Sequence, residues 1–392
     1  MRFALLGCDN KTLLIADWIA RTEGHSVNSI FQPDEFAEPL TRLHPTASLS
    51  EGWESLLLNQ EIDAVVVSMM PSGSAGVDQR ADQLRKLVQE SVPALMVHPV
   101  CESIVAFEIE MIRTDTNCPL IPYVPTKDHA AFGAFCAAVQ DSESTVGPVE
   151  QIVATRTCAR RDRDAVLRLL AEDSVLIAEL IGDVKSVSAS GATGDDNANL
   201  ANLAVTFAGE SAAGARWCIE PAEDYEGVQL VAVADRGKIT LWIPSESESD
   251  RYRLSVNGQD VPVDEWKIDV AIEAAVERLE SQIAGGESDA DLARSFHALE
   301  IVDAVTQSCR RRRTIELLAE QPTEEDTFKA MMAAGGCAML MWTLVLVILG
   351  PLLFLTGSMV LRVLWYVLLI GPISVFLVLQ LLRFVFDDKQ ST

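Results

Sequence analysis

Apolar residues in the first third of the chain form short continuous runs that alternate with stretches of helical spacing. The run from Arg2 to Leu6 stops at Gly7, and apolar side chains between Lys11 and Arg21 recur at helical intervals. Further strands are predicted at 26–31, 62–69 and 94–97, and further helices at 79–89 and 104–113. Continuous apolar strands that alternate with helices are typical of a parallel sheet covered on both faces. We therefore predict an α/β domain over residues 1–125.

The pattern changes after residue 125. Apolar and polar positions now alternate, as in Leu203, Val205 and Phe207, and turn signals separate the runs. Strands are predicted at 151–157, 184–190, 200–207, 215–220, 229–234 and 238–243, and helices at 164–180, 270–283 and 289–312. This alternation predicts a second α/β domain over 126–318, with a mostly antiparallel sheet that its last two helices close.

The end of the chain is far more apolar. Between Ala330 and Phe386 the only charged side chains are Arg362 and Arg383. Residues 332–355 and 363–382 each supply the roughly 20 apolar positions that a membrane-crossing helix needs. We predict that 319–331 is an acidic linker and that these two segments form a transmembrane helical hairpin. Its partner is the lipid bilayer.

The basic residues indicate how this hairpin is oriented. Arg310 to Arg313 and Lys329 precede the first span, and Arg383 and Lys389 follow the second, as expected of cytoplasmic flanks. The first apolar run is too short for a signal peptide. The eight cysteines include no CxxC pair, which favours free thiols in a reducing compartment. We therefore expect a two-helix protein of the cell membrane, with its soluble body and both termini in the cytoplasm.

Net charge narrows the function further. The chain carries a formal charge of −26, which repels phosphate backbones, so we predict that it binds no nucleic acid.

The first predicted strand and helix are joined by Gly7-Cys8-Asp9-Asn10-Lys11-Thr12. A glycine turn before a helix is the Rossmann-like context in which backbone N–H groups face the pyrophosphate of a dinucleotide. Of the G-x-G-x-x-G pattern only the first glycine is present, with Asp9 and Thr12 at the other two positions. A carboxylate at Asp9 repels pyrophosphate, and Lys11 offsets part of that repulsion. A bound nucleotide and an ordinary turn are both compatible with this pattern.

A second nucleotide signal is also altered. The acidic residue expected after the second strand, where it binds ribose, is replaced by Gln32, with Asp34 the next candidate. Gln32 is able to hydrogen-bond a hydroxyl, but a solvent-facing turn residue gives the same pattern.

Three stretches carry a family resemblance: Glu61 to Val67 followed by Met70-Pro71, 182–187, and 298–308 with 313–317. Together with the order of elements over about residues 1–318, they resemble the Gfo/Idh/MocA family of sugar and cyclitol oxidoreductases. The resemblance implies a Rossmann domain that binds NAD or NADP, a sugar or polyol substrate, and a homo-oligomer paired through the second sheet. The implied cofactor-binding residues are Gly7, Cys8, Asp9, Asn10, Lys11, Gln32 and Pro71.

The chain departs from the family at its catalytic positions. The family's Glu-Lys-Pro stretch supplies a lysine that assists proton and hydride transfer, but here the segment is Val97-His98-Pro99. His98 is the one catalytic candidate, since a histidine titrates near neutrality, although a strand-end histidine without a role is an alternative. The family's aspartate and histidine on one helix of the second domain are also missing. Glu172 and Asp173 lie there instead, and we expect them to be solvated.

Two hypotheses follow. One is a membrane-anchored oxidoreductase that transfers a hydride between NAD or NADP and a sugar or polyol. The other is a catalytically inactive scaffold or ligand sensor tethered to the membrane. No metal site is predicted, because the spacing of His98 and Cys101 is a weak sign without a second cluster.

Overall fold

The structure is a computed structural model that forms two compact units, Met1–Leu318 and Ala319–Thr392. The residues that it describes are 1–50, 52–58, 61–71, 73–141, 146–191, 200–222, 226–245, 252–263, 267–286, 290–317, 341–343, 346–348, 365 and 369.

The first unit begins with a six-stranded parallel sheet in the order β3-β2-β1-β4-β5-β6. Its strands are β1 (Arg2–Leu6), β2 (Ser26–Phe31), β3 (Ser48–Ser50), β4 (Ala64–Val67), β5 (Ala94–Val97) and β6 (Leu120–Tyr123). This is the strand order of the Rossmann fold, in which the order of successive strands reverses between β1 and β4. The predicted α/β class is confirmed, and the strands predicted at 26–31 and 94–97 have those bounds in the structure.

The central strands of this sheet are buried throughout because helices cover both of its faces. They are α1 (Asn10–Arg21), α2 (Ala37–Leu43), α3 (Ser74–Gln89) and α4 (Ser103–Thr116), with two 3₁₀ turns at Asp34–Phe36 and Trp53–Leu58. The carboxyl ends of β1, β2 and β4 meet at one edge, where ligands bind in folds of this kind.

The second sheet has nine strands in the order β14-β13-β12-β11-β7-β10-β9-β8-β15. They are β7 (Val149–Cys158), β8 (Ser186–Ser190), β9 (Ala204–Ala208), β10 (Gly214–Pro221), β11 (Gly227–Ala234), β12 (Gly237–Pro244), β13 (Arg253–Val256), β14 (Gln259–Val261) and β15 (Ile315–Glu316). All described pairs are antiparallel except β10 with β7. In β10 the inward side chains Ala215, Trp217 and Ile219 are buried, which is the two-residue period of a sheet covered on one face.

Four more helices complete the unit: α5 (Ala130–Gln140), α6 (Arg163–Ile181), α7 (Ile268–Ile283) and α8 (Ala290–Arg311). The expectation that α7 closes the second sheet is wrong. Its apolar face, with Ile272, Val276 and Leu279, is packed in the core of the first sheet among residues of β1, β4 and β5. The division at residues 125 and 126 stays a prediction.

No helix within the described residues is long and apolar enough to cross a membrane. The predicted linker and spans lie outside those residues except at 341–343, 346–348, 365 and 369. Within the second unit, the Trp365 indole N–H donates to the carbonyl oxygen of Leu346 at 2.9 Å. The hairpin stays a prediction.

Candidate functional site

Asp9 organises the turn between β1 and α1. Its Oδ1 accepts the Thr12 N–H at 2.8 Å, which makes Asp9 the N-cap of α1. Its Oδ2 accepts the Met69 N–H at 2.7 Å, directly after β4. Both oxygens of the Asp9 carboxylate therefore accept hydrogen bonds from backbone N–H groups. These two donors offset part of the negative charge that would repel a pyrophosphate.

Gly7 ends β1 in the left-handed region, with φ of +76°. A Cβ placed on it would lie 2.2 Å from Ser68 Oγ and 2.7 Å from Arg80 Nη2. The glycine is therefore required by two side chains that pack against its α-carbon as well as by its backbone angle.

Arg80 reaches this position from α3 and is 4% exposed. Its guanidinium donates to the Leu6 carbonyl oxygen at 3.2 Å and to Ser68 Oγ at 2.9 Å. Its Nε has no hydrogen-bond partner, and no carboxylate among the described residues lies within ion-pair distance. Burial lowers the pKa of Arg80 to about 10, so the side chain is still a cation at neutral pH.

An open cleft of about 720 Å³ lies above Gly7 and Arg80, at the carboxyl ends of β1, β2 and β4. Six of the seven predicted cofactor-binding residues line it: Gly7, Cys8, Asp9, Asn10, Gln32 and Pro71. Its volume is within the range of cofactor pockets, about 300–1,000 Å³. Arg160 and Arg168, which follow β7 in the chain, also line it.

The β2 end of the cleft is polar and acidic. Gln32 has φ of +53° and accepts a hydrogen bond from Gln83 Nε2 at 2.8 Å, while Asp34 and Glu35 also line the cleft. The side chain of Gln32 is therefore held at the cleft wall rather than left free in solvent.

Lys11, the seventh predicted cofactor-binding residue, does not line this cleft. It is buried, and its Nζ lies 3.1 Å from Glu172 Oε1 on α6. Burial alone would raise the pKa of Glu172, but the charges of Lys11 and Arg156 lower it below its usual value. Lys11 therefore neutralises a carboxylate of α6.

His98 ends β5, where the resemblance placed the catalytic group. It is 3% exposed, and its Nε2–H donates to the Ala171 carbonyl oxygen at 3.2 Å. Burial lowers the pKa of His98 to about 4, so its imidazole is neutral at pH 7. The cavity that His98 shares with Lys11 and Glu172 measures about 20 Å³, room for little more than one water molecule.

Asp173 lies beside this small cavity and is fully buried. Its carboxylate accepts Arg156 Nε at 2.9 Å and Trp217 Nε1 at 2.8 Å, and it also pairs with Arg156 Nη2. The expectation that Glu172 and Asp173 are solvated is therefore wrong. Both point into the protein, and each is satisfied by a buried cation.

A second open cavity, of about 410 Å³, adjoins the cleft and shares Met70, Pro71 and Arg168 with it. It lies between α4, α6 and α8. Its floor is apolar, with Leu299 and Val302 on α8.

The histidines and cysteines assemble no metal site in the part of the chain that the structure describes. Cys101 is a buried free thiol. His129 caps α5, where its Nδ1 accepts the Ala131 N–H at 2.9 Å, and its ring stacks on Tyr252.

Comparison with known proteins gives one kind of match. No protein-family model and no curated protein matches the chain. Solved structures do match it, and the three named here each cover 80% or 81% of this chain. They include a myo-inositol dehydrogenase from Corynebacterium glutamicum, with a TM-score of 0.61, 18% identity and 99% of that chain covered. An oxidoreductase from Agrobacterium radiobacter in complex with NAD+, L-tartaric acid and magnesium has a TM-score of 0.64, 14% identity and 98% coverage. A putative NADPH-dependent oxidoreductase from Desulfitobacterium hafniense has a TM-score of 0.67, 15% identity and 97% of its chain covered.

The chain has the fold of these oxidoreductases. The architecture expected from the Gfo/Idh/MocA resemblance is thereby confirmed for the two sheets. At these identities the likeness shows the fold alone, so the site must be judged from this chain's own residues.

Sequence reasoning missed Arg80 and the two buried ion pairs. An arginine in an amphipathic helix reads as a solvated charge, and nothing local distinguishes Arg80 from Arg85 five residues later. The one available signal was Gly7, which implied close packing without naming the residue that packs there.

Proposed function

We propose that this protein binds NAD or NADP in the cleft above Gly7 and acts as a membrane-tethered, ligand-responsive protein rather than as an efficient hydride-transfer enzyme. The observation that carries this proposal is the contrast between two volumes. The cleft at the ends of β1, β2 and β4 is open at about 720 Å³, whereas the space around His98 is about 20 Å³.

The residues of the cleft fit a dinucleotide. The N-terminus of α1 and the Gly7 turn offer backbone N–H groups to a pyrophosphate, and Gln32 offers an amide to a ribose hydroxyl. Asp34 and Glu35 at the same end favour an unphosphorylated ribose, because they repel a 2′-phosphate. NAD is therefore the preferred form within this proposal.

The chemistry beside the cleft argues against rapid turnover. A bound dinucleotide supplies or accepts a hydride, but an acid or base must then move a proton on the substrate. His98 is buried, neutral and hydrogen-bonded to a carbonyl oxygen, and Lys11 and Glu172 neutralise each other. His98 therefore lacks both the access and the pKa near 7 that a general acid or base needs.

A second candidate function is oxidation or reduction of a sugar or polyol. The cavity of about 410 Å³ favours it, because it adjoins the cleft at Pro71 and offers polar groups over an apolar floor.

The tethered body is proposed to face the cytoplasm and to form a homo-oligomer through its nine-stranded sheet.

Titration of the full-length protein in detergent with NAD+, NADH, NADP+ and NADPH tests the proposal. We expect saturable calorimetric binding, with NAD+ and NADH tighter than their phosphorylated forms. Saturating NAD+ with a panel of sugars and polyols should then yield no absorbance change at 340 nm above a protein-free control. Steady turnover would establish the second candidate, and a folded protein that binds none of the four forms would refute dinucleotide binding.

A further inference from the structure

Arg80 is a buried cation whose charge the described residues leave without a paired anion. Four per cent of the side chain is exposed, and its two hydrogen bonds go to the neutral acceptors Leu6 O and Ser68 Oγ. A buried charge without a carboxylate partner is costly, because desolvation is not offset by an ion pair. The buried Nε also lacks an acceptor.

Its position shows where a compensating anion would come from. Arg80 lines the open cleft, and its Nη2 would lie 2.7 Å from a Cβ on Gly7. The missing side chain of Gly7 therefore leaves room for the guanidinium beside the turn that precedes α1. The N-terminal end of α1 adds positive potential at the same place.

The neighbouring carboxylate does not fill this role. Asp9 is the acidic group that acts most strongly on Arg80, but its two oxygens accept the N–H groups of Thr12 and Met69. Asp9 thus holds the turn in shape, and the guanidinium is left for a ligand.

We propose that Arg80 is the binding residue for the diphosphate of the ligand, in place of the second and third glycines that the turn lacks. This inference rests on the proposed function, since it names the group that holds the same dinucleotide. A guanidinium suits a diphosphate because it donates two parallel hydrogen bonds to phosphate oxygens. The ligand class is therefore a nucleotide that carries a diphosphate, such as ADP or NAD.

Three substitutions in the full-length protein test this. Arg80→Gln removes the charge but retains a hydrogen-bond donor, and Arg80→Lys retains the charge. Arg85→Gln is the matched control, because Arg85 lies on the same helix, pairs with Glu108 and lies outside the cleft lining. Thermal unfolding and circular dichroism of each variant establish that it is folded.

We expect Arg80→Gln to weaken calorimetric binding of NAD+ and ADP at least tenfold. Arg80→Lys should bind more weakly than the parent, because it keeps the charge but loses the two parallel hydrogen bonds, and Arg85→Gln should match the parent. Equal affinity in Arg80→Gln and the parent would overturn the inference.

Inorganic pyrophosphate separates this inference from the proposed function and does not depend on the variants alone. Millimolar pyrophosphate should raise the unfolding temperature of the unmodified protein by mass action. If no dinucleotide binds but pyrophosphate stabilises the parent and not Arg80→Gln, the proposed function fails and the anion site stands. If dinucleotides bind but pyrophosphate has no effect on the unmodified protein, the anion site fails and the function stands.

Discussion

The guanidinium of Arg80 occupies space that a side chain on Gly7 would need, since a Cβ on Gly7 would lie 2.7 Å from the Nη2 of Arg80. In a complete G-x-G-x-x-G turn the glycines allow the phosphates of the ligand to approach the backbone closely. Here the first glycine also allows the Arg80 guanidinium to pack against its α-carbon. The remaining glycine of the pattern therefore marks a site whose electrostatics come from α3 rather than from the turn alone.

Gly7→Ala should destabilise the protein by about 2 kcal/mol or more and weaken dinucleotide binding. Its φ of +76° strains any side chain, and the added methyl would displace Ser68 and Arg80. Urea unfolding and calorimetry measure the two effects. Gly24→Ala is the control, because Gly24 has φ of +87° with no atom within 4 Å of an added Cβ. Equal losses in the two variants would show that backbone strain alone matters at Gly7.

Breaking the pair between Lys11 and Glu172 should cost about 3 kcal/mol of unfolding free energy, because Lys11→Met leaves a largely buried carboxylate without its nearest cation. The double variant Lys11→Met with Glu172→Gln should recover part of that loss. A double-mutant cycle in urea measures the coupling. Removal of the exposed pair Arg42 and Glu38 should leave stability unchanged. A coupling near zero would contradict the role assigned to the buried pair.

Most of the fold was predictable because the spacing of apolar residues along the chain indicates each strand and helix. Continuous apolar strands and alternating ones distinguish a sheet covered on both faces from a sheet covered on one, and both sheets were predicted on that basis. The packing of α7 was not predictable. Its amphipathic face fits either sheet, and only the tertiary structure places Ile272 and Val276 in the first core.

The site was predicted in part for a similar reason. Residues of the Gly7 turn, Gln32 and Pro71 are fixed by their places after β1, β2 and β4, so six of the predicted residues line one cleft. Lys11, one position into the helix, turns away from that cleft. The partners of Glu172, Asp173 and Arg80 are distant in sequence, and pairing across such separations leaves no periodic signal.

Removal of residues 319–392 should release the protein from membranes. The predicted spans at 332–355 and 363–382 supply the apolar length for a hairpin, and the net charge of −26 opposes electrostatic adsorption to anionic lipids. Membrane fractions washed with alkaline carbonate should retain the full chain and lose the truncated one. A full chain found in the supernatant would refute the anchor.

Acid should destabilise the protein in a window that His98 helps to define. Its pKa falls from 6.5 to about 4 on burial, so the unfolded state binds the proton more readily and stability decreases as the pH falls from 6.5 to 4. The shift corresponds to roughly 3 kcal/mol. His98→Asn should reduce this slope in urea midpoints measured across the window. A slope unaltered by His98→Asn would mean that His98 is charged in the folded protein, and an acid or base role for it would have to be reconsidered.

His297 should affect stability with the opposite sign. Its hydrogen bond to Glu300 raises its pKa, so its contribution to stability is present below pH 6.5 and is lost as the pH rises through the folded value. His297→Gln should therefore lower stability at pH 5.5 and leave it unchanged at pH 8.5.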